Sequence, residues 1–214
     1  VCSDFGIDPN GTKGASLHLR SITRALCEVG HEVSILSPKG RAIPGHPAKM
    51  LSSIGGGPAE TMGKLLKNWL VGHDLSDAPA REVRPLLYNA WAPTAALSAL
   101  RENPPDAIIE RLSLFGHVGL DLSEKLGVPL IIEMNAPLTE EAETYRSLQL
   151  SGLARQIEER VLARADGIAV VSQPLAKRLA ESGIDEQRVQ VLPNGADLGA
   201  FEGVGGRAEC RARW

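Results

Sequence analysis

"PPDAIIERLSLFGHVGLDLSEKLGVPLIIE", residues 104–133, decides the fold. The apolar run inside "DAIIE" (106–110) is short, rich in isoleucine and preceded by two prolines, which predicts a strand. Residues 116–126 predict a helix that Gly127 closes. "VPLIIE" (128–133) predicts a second strand, so the stretch reads as one β-α-β unit with parallel strands and a right-handed crossover.

The alternation continues downstream. A helical stretch over 139–164 leads to the strand "GIAVV" (167–171), a helix that starts near Pro174 and stops at Gly183, and a last strand "VQVL" (189–192). Strands of unbroken Val, Ile and Leu character between helices predict a sheet buried on both faces, a Rossmann-like, doubly wound α/β fold. Upstream, Val1 to Ser3 read as the tail of a strand and residues 6–14 as a glycine-bearing loop. Leu19, Ile22, Leu26 and Val29 then fall at helical spacing up to Gly30, and Val33 to Leu36 form a strand. Residues 40–60, with Pro44, Pro47, Pro58 and Gly55-Gly56-Gly57, read as a long loop. The triple glycine lacks a preceding strand and a following Lys-Ser/Thr, which argues against a phosphate loop. Residues 59–71 and 81–102 read as helices whose Trp69 and Trp91 are expected to pack in the core.

Bulk composition sets the limits. The chain has 214 residues, 43% of them hydrophobic and 23% charged, as expected for one globular domain. A net charge of −3 gives no global attraction to nucleic acid or anionic lipid. Cys2, Cys27 and Cys210 are an odd number without metal-ligand spacing, so they read as reduced thiols of a cytoplasmic protein with no metal site. No apolar run approaches the roughly 20 residues of a membrane span. "GKLLKNWLVG" (63–72) combines Lys64 and Lys67 with Leu65, Leu66 and Trp69, which fits either a core helix or peripheral contact with an anionic membrane.

In a doubly wound sheet, ligands bind beyond the carboxyl ends of the strands. That rule gathers the loop 9–16, then Glu110 and Arg111, Glu133 and Asn135, Ser172 and Gln173, and Asn194 and Asp197 at one edge. Gly11 and Gly14, followed by Ala15 and Ser16 at a helix start, suit a phosphate or diphosphate, or are simply a tight turn. Arg111 can pair with Glu110, Glu133 or an incoming phosphate. His18, in the first turns of that helix, can face the same edge, whereas His31 follows a helix end. "GTKGAS" is not G-x-G-x-x-G, which counts against a nicotinamide oxidoreductase. No nucleophile triad is legible.

Taken in order, "GTKGAS", "ALCEVGHEVSIL" (25–36), "PPDAIIERLSLFG" (104–116), "GVPLIIEMNAPLTEEAETYR" (127–146), "RADGIAVVSQPLAKRLAESGI" (164–184) and "RVQVLPNGADLGAF" (188–201) resemble the N-terminal half of a retaining glycosyltransferase of family four, GT-B type. The resemblance implies a Rossmann-like acceptor-side domain over residues 1–197 and a truncated interdomain linker over 198–214, with the second, donor-binding domain missing. It implies a nucleotide-sugar as co-substrate, no cofactor, and transfer to a glycan or lipid-linked acceptor in envelope or exopolysaccharide synthesis, in the cytoplasm or at the inner face of the membrane. Gly14, Ala15 and Ser16 would approach the donor diphosphate. His18, Arg111, Glu133, Asn135, Ser172 and Asn194 would line the cleft. Asn135 stands where many relatives carry a histidine, and an amide can orient a hydroxyl but cannot act as a general base. The alternative expectation is a non-catalytic fragment or binding domain lacking the donor half of the site.

Overall fold

The computed structural model describes residues 1–3, 5–39, 41–51, 56–196, 199 and 206–212, the side chain of Cys210 excepted. Gly55 of the triple glycine, Asp197, Phe201 and most of the expected linker lie outside the described residues.

Every strand pairing is parallel. β1 (Ser34–Ile35) pairs with β2 (Lys49–Met50), while β3 (Ile108–Arg111), β4 (Leu130–Met134), β5 (Gly167–Val170) and β6 (Val189–Val191) lie side by side in that order. Residues 1–3 join the two groups. Cys2 bridges to Leu36 on one side and to Glu110 on the other. Its N–H donates to the Ile109 carbonyl at 2.8 Å, and the Ser3 N–H donates to the Leu36 carbonyl at 3.0 Å. The chain's first segment therefore lies in the middle, and strand order reverses between residues 1–3 and β3. β2 falls inside the expected long loop, because two residues are too few to show a period.

The side-chain alternation of extended backbone divides the apolar residues. Val33 and Ile35 join Ile7, Leu19 and Ala48 in a small core with α1 (Gly14–Glu28), whereas Cys2 and Leu36 join the larger core around Leu130, Ile132 and Val170. The expectation of full burial on both faces is too strong. Ile131 in the middle of β4 is 36% exposed, so its apolar run is covered more completely on one side than on the other.

α2 (Gly57–Gly72) and α3 (Ala78–Glu102) form a helical pair, followed by α4 (Val118–Leu126). The pair packs through small residues: Ala59 and Gly63 are buried, and a Cβ on Gly63 would come within 2.9 Å of the Arg84 side chain. Trp91 lies half-buried against Gly57. Trp69 corrects the sequence expectation: it is 55% exposed and packs on the His73 ring, because the closely packed side of α2 consists of its small residues and Leu70. Met62 and Leu65 are exposed as well.

The expected single helix over 139–164 is two helices, α5 (Leu138–Tyr145) and α6 (Ser151–Arg164), separated at Ser147, whose φ is 51°. The break has a partner across the fold. The buried Glu82 of α3 accepts the N–H groups of Gln149 at 2.9 Å and Leu150 at 2.8 Å, satisfying donors that open α6. α3 serves α4 in the same way. Asn89 Oδ1 accepts the N–H groups of His117 at 2.7 Å and Val118 at 3.1 Å, and Glu110 Oε2 accepts the Gly119 N–H at 3.0 Å. Glu158 Oε2 accepts the Thr139 N–H at the start of α5 at 3.2 Å. α7 (Gln173–Glu181) and the short α8 (Arg207–Ala212) complete the helices.

Glu110 sits against Gly119, where a Cβ would come within 2.8 Å of it. Burial pushes its carboxyl up to about 7, against the opposing pull of the Gly119 N–H and of His117. The Cys2 thiol next to it is pushed up to about 12 by burial and stays protonated.

Replacing Glu82 with alanine leaves two N–H groups without their charged acceptor and is expected to cost about 2–3 kcal/mol in urea unfolding. An unchanged midpoint would remove Glu82 from the stabilising network. Glu110 binds its proton more tightly folded than unfolded, so its contribution is fully present below the ordinary value of 4.5 and declines as pH rises to about 7. Glu110→Gln should therefore gain on the wild type between pH 5 and pH 8, by on the order of 3 kcal/mol at most; parallel stability profiles would contradict this.

Candidate functional site

Because the strands are parallel, the segments that follow them emerge at one edge: the loop 5–13, residues 112–117 after β3, 135–137 after β4, Ser172 after β5 and 192–196 after β6. In doubly wound sheets such a reversal of strand order marks the place where a crevice opens, here between the first loop and β3.

Four of the residues singled out from the sequence converge at this edge. Arg111 and Glu133 are register partners on adjacent strands. α1 brings His18 Nε2 to 2.8 Å from Glu133 Oε1, and Asn135 Nδ2 donates to the same oxygen at 2.5 Å. Burial of Glu133 raises its pKa, but the contacts from His18 and Asn135 and the nearby charge of Arg111 outweigh that, and the carboxyl is held below its ordinary value. Among the described residues Arg111 forms no ion pair, and its buried Nη1 has no hydrogen-bond partner. His18 Nε2 likewise lacks the alignment of a hydrogen bond, despite its short approach to Glu133. The result is an ionised carboxylate beside donors that still have bonding capacity. Asn135 is committed to orienting that carboxylate.

Gly14, Ala15 and Ser16 differ from one another. α1 starts at Gly14 with Lys13 before it and no side-chain cap. Among the described residues nothing lies within 4 Å of where a Cβ on Gly14 would stand, so its backbone is open to close approach. Ala15 is half-buried. Ser16 is only 1% exposed, and its N–H donates to the Lys13 carbonyl at 2.9 Å.

Ser172 stands half-buried at the uncapped start of α7, and Asn194 is exposed after β6. No hydrogen bond joins either to the cluster among the described residues. A groove of about 620 Å³ runs between α7 and β6, lined by Ala176, Lys177, Gln190 and Pro193, and the cluster does not border it. No group of three or more His, Cys, Asp or Glu is arranged to hold a metal among the described residues. No described helix is long and apolar enough to cross a membrane. The sequence reading missed Arg20, whose guanidinium donates to the carbonyls of Pro9 and Gly11 in the first loop. Backbone carbonyls carry no residue signature, so its position after the glycines was the only available clue.

Residues 12–200 match the sequence profile of Glycosyltransferase Family 4. No curated protein matches the chain. Among solved structures it is similar to sucrose-phosphate synthase from Thermosynechococcus elongatus, with a TM-score of 0.61 and 17% identity over 94% of this chain and 47% of that one. It is also similar to UGT2 of Phytolacca americana, complexed with UDP-2fluoro-glucose and pterostilbene, with a TM-score of 0.52 and 15% identity over 89% of this chain and 52% of that one. The chain thus spans about half the length of each. These likenesses establish the Rossmann-like α/β fold of GT-B glycosyltransferases. On the profile match, the chain belongs to Glycosyltransferase Family 4.

Proposed function

We propose that this chain is the acceptor-side, N-terminal domain of a retaining glycosyltransferase that moves a sugar from a nucleotide-sugar donor to a glycan or lipid-linked acceptor in envelope or exopolysaccharide synthesis. The observation that carries the reading is the open start of α1. Helix N-termini favour anions, and α1 begins at a glycine with free space in front of it, one loop away from the His18, Glu133, Asn135 and Arg111 cluster. The UDP-sugar bound by UGT2, a protein of similar fold, supports the donor class.

In this reading the backbone at Gly14 and Ala15 meets the donor diphosphate and stabilises the charge that develops as it leaves. Glu133, oriented by Asn135 and with His18 Nε2 close to the same oxygen, receives an acceptor hydroxyl, and Arg111 supplies positive charge beside it. Asn135 orients the acceptor side and moves no proton. Residues 1–197 form one wall and 198–214 lead towards a second. Transfer needs both walls to hold the substrates together and exclude water, so this chain alone binds without turning over. The exposed Met62, Leu65 and Trp69 of α2 support peripheral contact with the inner face of a membrane, while Lys64 and Lys67 on the other side of the helix pair with Glu60 and Asp77.

The test is sugar transfer from nucleotide-sugar donors by the longest natural reading frame that contains these residues. Gly14→Val should lower kcat/KM at least about 100-fold, since a side chain there would push the diphosphate away; undiminished transfer would rule the loop out. Glu133→Gln should reduce transfer and also change acid sensitivity. The contribution of Glu133 to folding is present above its ordinary value of 4.5 and is lost as pH falls through its depressed value. The wild type should therefore lose its advantage over the variant below about pH 4.5, and a constant difference down to acid pH would contradict that.

A further inference from the structure

Arg20 lies on α1, yet its side chain serves the loop before the helix. Its Nη1 donates to the Pro9 carbonyl at 2.7 Å and to the Gly11 carbonyl at 2.8 Å. One charged nitrogen therefore draws two loop carbonyls to itself. Asp8 tightens the same turn: its Oδ1 accepts the Asn10 N–H at 3.0 Å, and its carbonyl accepts the Gly11 N–H at 2.8 Å. There is little slack, since a Cβ on Gly11 would come within 2.9 Å of Ser16 Oγ and 3.1 Å of the Asp8 carbonyl.

A second segment supports Arg20. Residues 41–48, between β1 and β2, carry His46, whose Nδ1 accepts the Ala48 N–H at 3.2 Å. The ring proton is thereby assigned to Nε2, which donates to the Arg20 carbonyl at 2.9 Å. Asn10 Nδ2 donates to the Ala42 carbonyl at 3.2 Å and ties the loop directly to the same segment. The only sequence feature expected at 41–48 was proline-rich irregularity, and the segment is instead a support for the first loop.

We infer that Arg20 is a positioning residue for a diphosphate-bearing ligand: through the carbonyls of Pro9 and Gly11 it fixes residues 9–14 so that the open start of α1 meets the diphosphate already shaped, with residues 41–48 as its buttress. The inference rests on the donor reading proposed above. Arg20 itself does not touch the ligand. Its effect is preorganisation, which raises affinity by removing the ordering that the loop would otherwise undergo on binding.

Inorganic pyrophosphate titrated into the isotope-labelled chain tests it, with the backbone amides of Gly11, Thr12 and Gly14 observed by NMR and the thermal midpoint recorded for each protein. Saturable shifts are expected in the wild type. Arg20→Ala should raise the pyrophosphate Kd about tenfold, and Arg20→Lys, which keeps the charge and the donors, should recover part of the loss. A merely structural arginine would lower the thermal midpoint and leave the Kd of the folded fraction unchanged, and that result overturns the inference while the donor reading stands. Absence of any saturable shift in the wild type overturns both. If Arg20→Ala does not fold, His46→Ala, which removes the support at the Arg20 carbonyl, takes its place: weaker pyrophosphate binding supports the inference and unchanged binding overturns it.

Discussion

The two parts of the sheet are joined through residues 1–3, with Cys2 at the centre. Cys2 bridges to Leu36 and Glu110, and the hydrogen bonds around it bring β1 and β2 alongside β3 to β6. The loop that leaves residues 1–3 must then run out over the carboxyl end of β3 and return through α1. That path places His18 over Glu133, whose register partner on β3 is Arg111. A cysteine suits this central position: it is small, apolar when protonated, and burial keeps its thiol protonated.

The helix ends around this edge differ in a way that bears on ligand chemistry. α4 has its first N–H groups satisfied by Asn89 and Glu110, α5 has Glu158, and α6 has Glu82. Among the described residues no side chain accepts from the first N–H groups of α1 or α7. Each of these three helix starts is thus matched by a carboxylate inside the fold, α4 by an amide as well, and among the described residues the positive ends of α1 and α7 remain unmatched at the edge where ligands bind in such sheets. Burial pushes the Glu110 carboxyl at the start of α4 up to about 7, so near neutral pH it carries only part of a negative charge.

Much of this was legible in the sequence, because local rules and the fold agree where elements are long or sharply ended. Gly127 stops α4 in the left-handed region, and the strands from β3 to β6 fall within or across the apolar runs that predicted them. The failures have identifiable causes. The break between α5 and α6 depends on Glu82, distant in sequence, and β2 is too short to show a pattern. Trp69 was misread because a helix can pack through its small residues and leave a large one outside. The pairing of Asn135 with Glu133 is nearly visible in the spacing, whereas the approach of His18 across the fold is not.

The caps that α3 supplies place an uneven constraint on sequence change. Glu82 and Asn89 act through their own side chains, but they bond to backbone N–H groups of residues 117, 118, 149 and 150. Any amino acid except proline offers that group. The caps themselves therefore leave the side chains at those four positions free, with Val118 held only by its place in the core, while Glu82 and Asn89 stay fixed, and pairwise covariation would not reveal the link. Its trace in an alignment would be a lone acid and a lone amide on α3, facing positions marked only by the absence of proline.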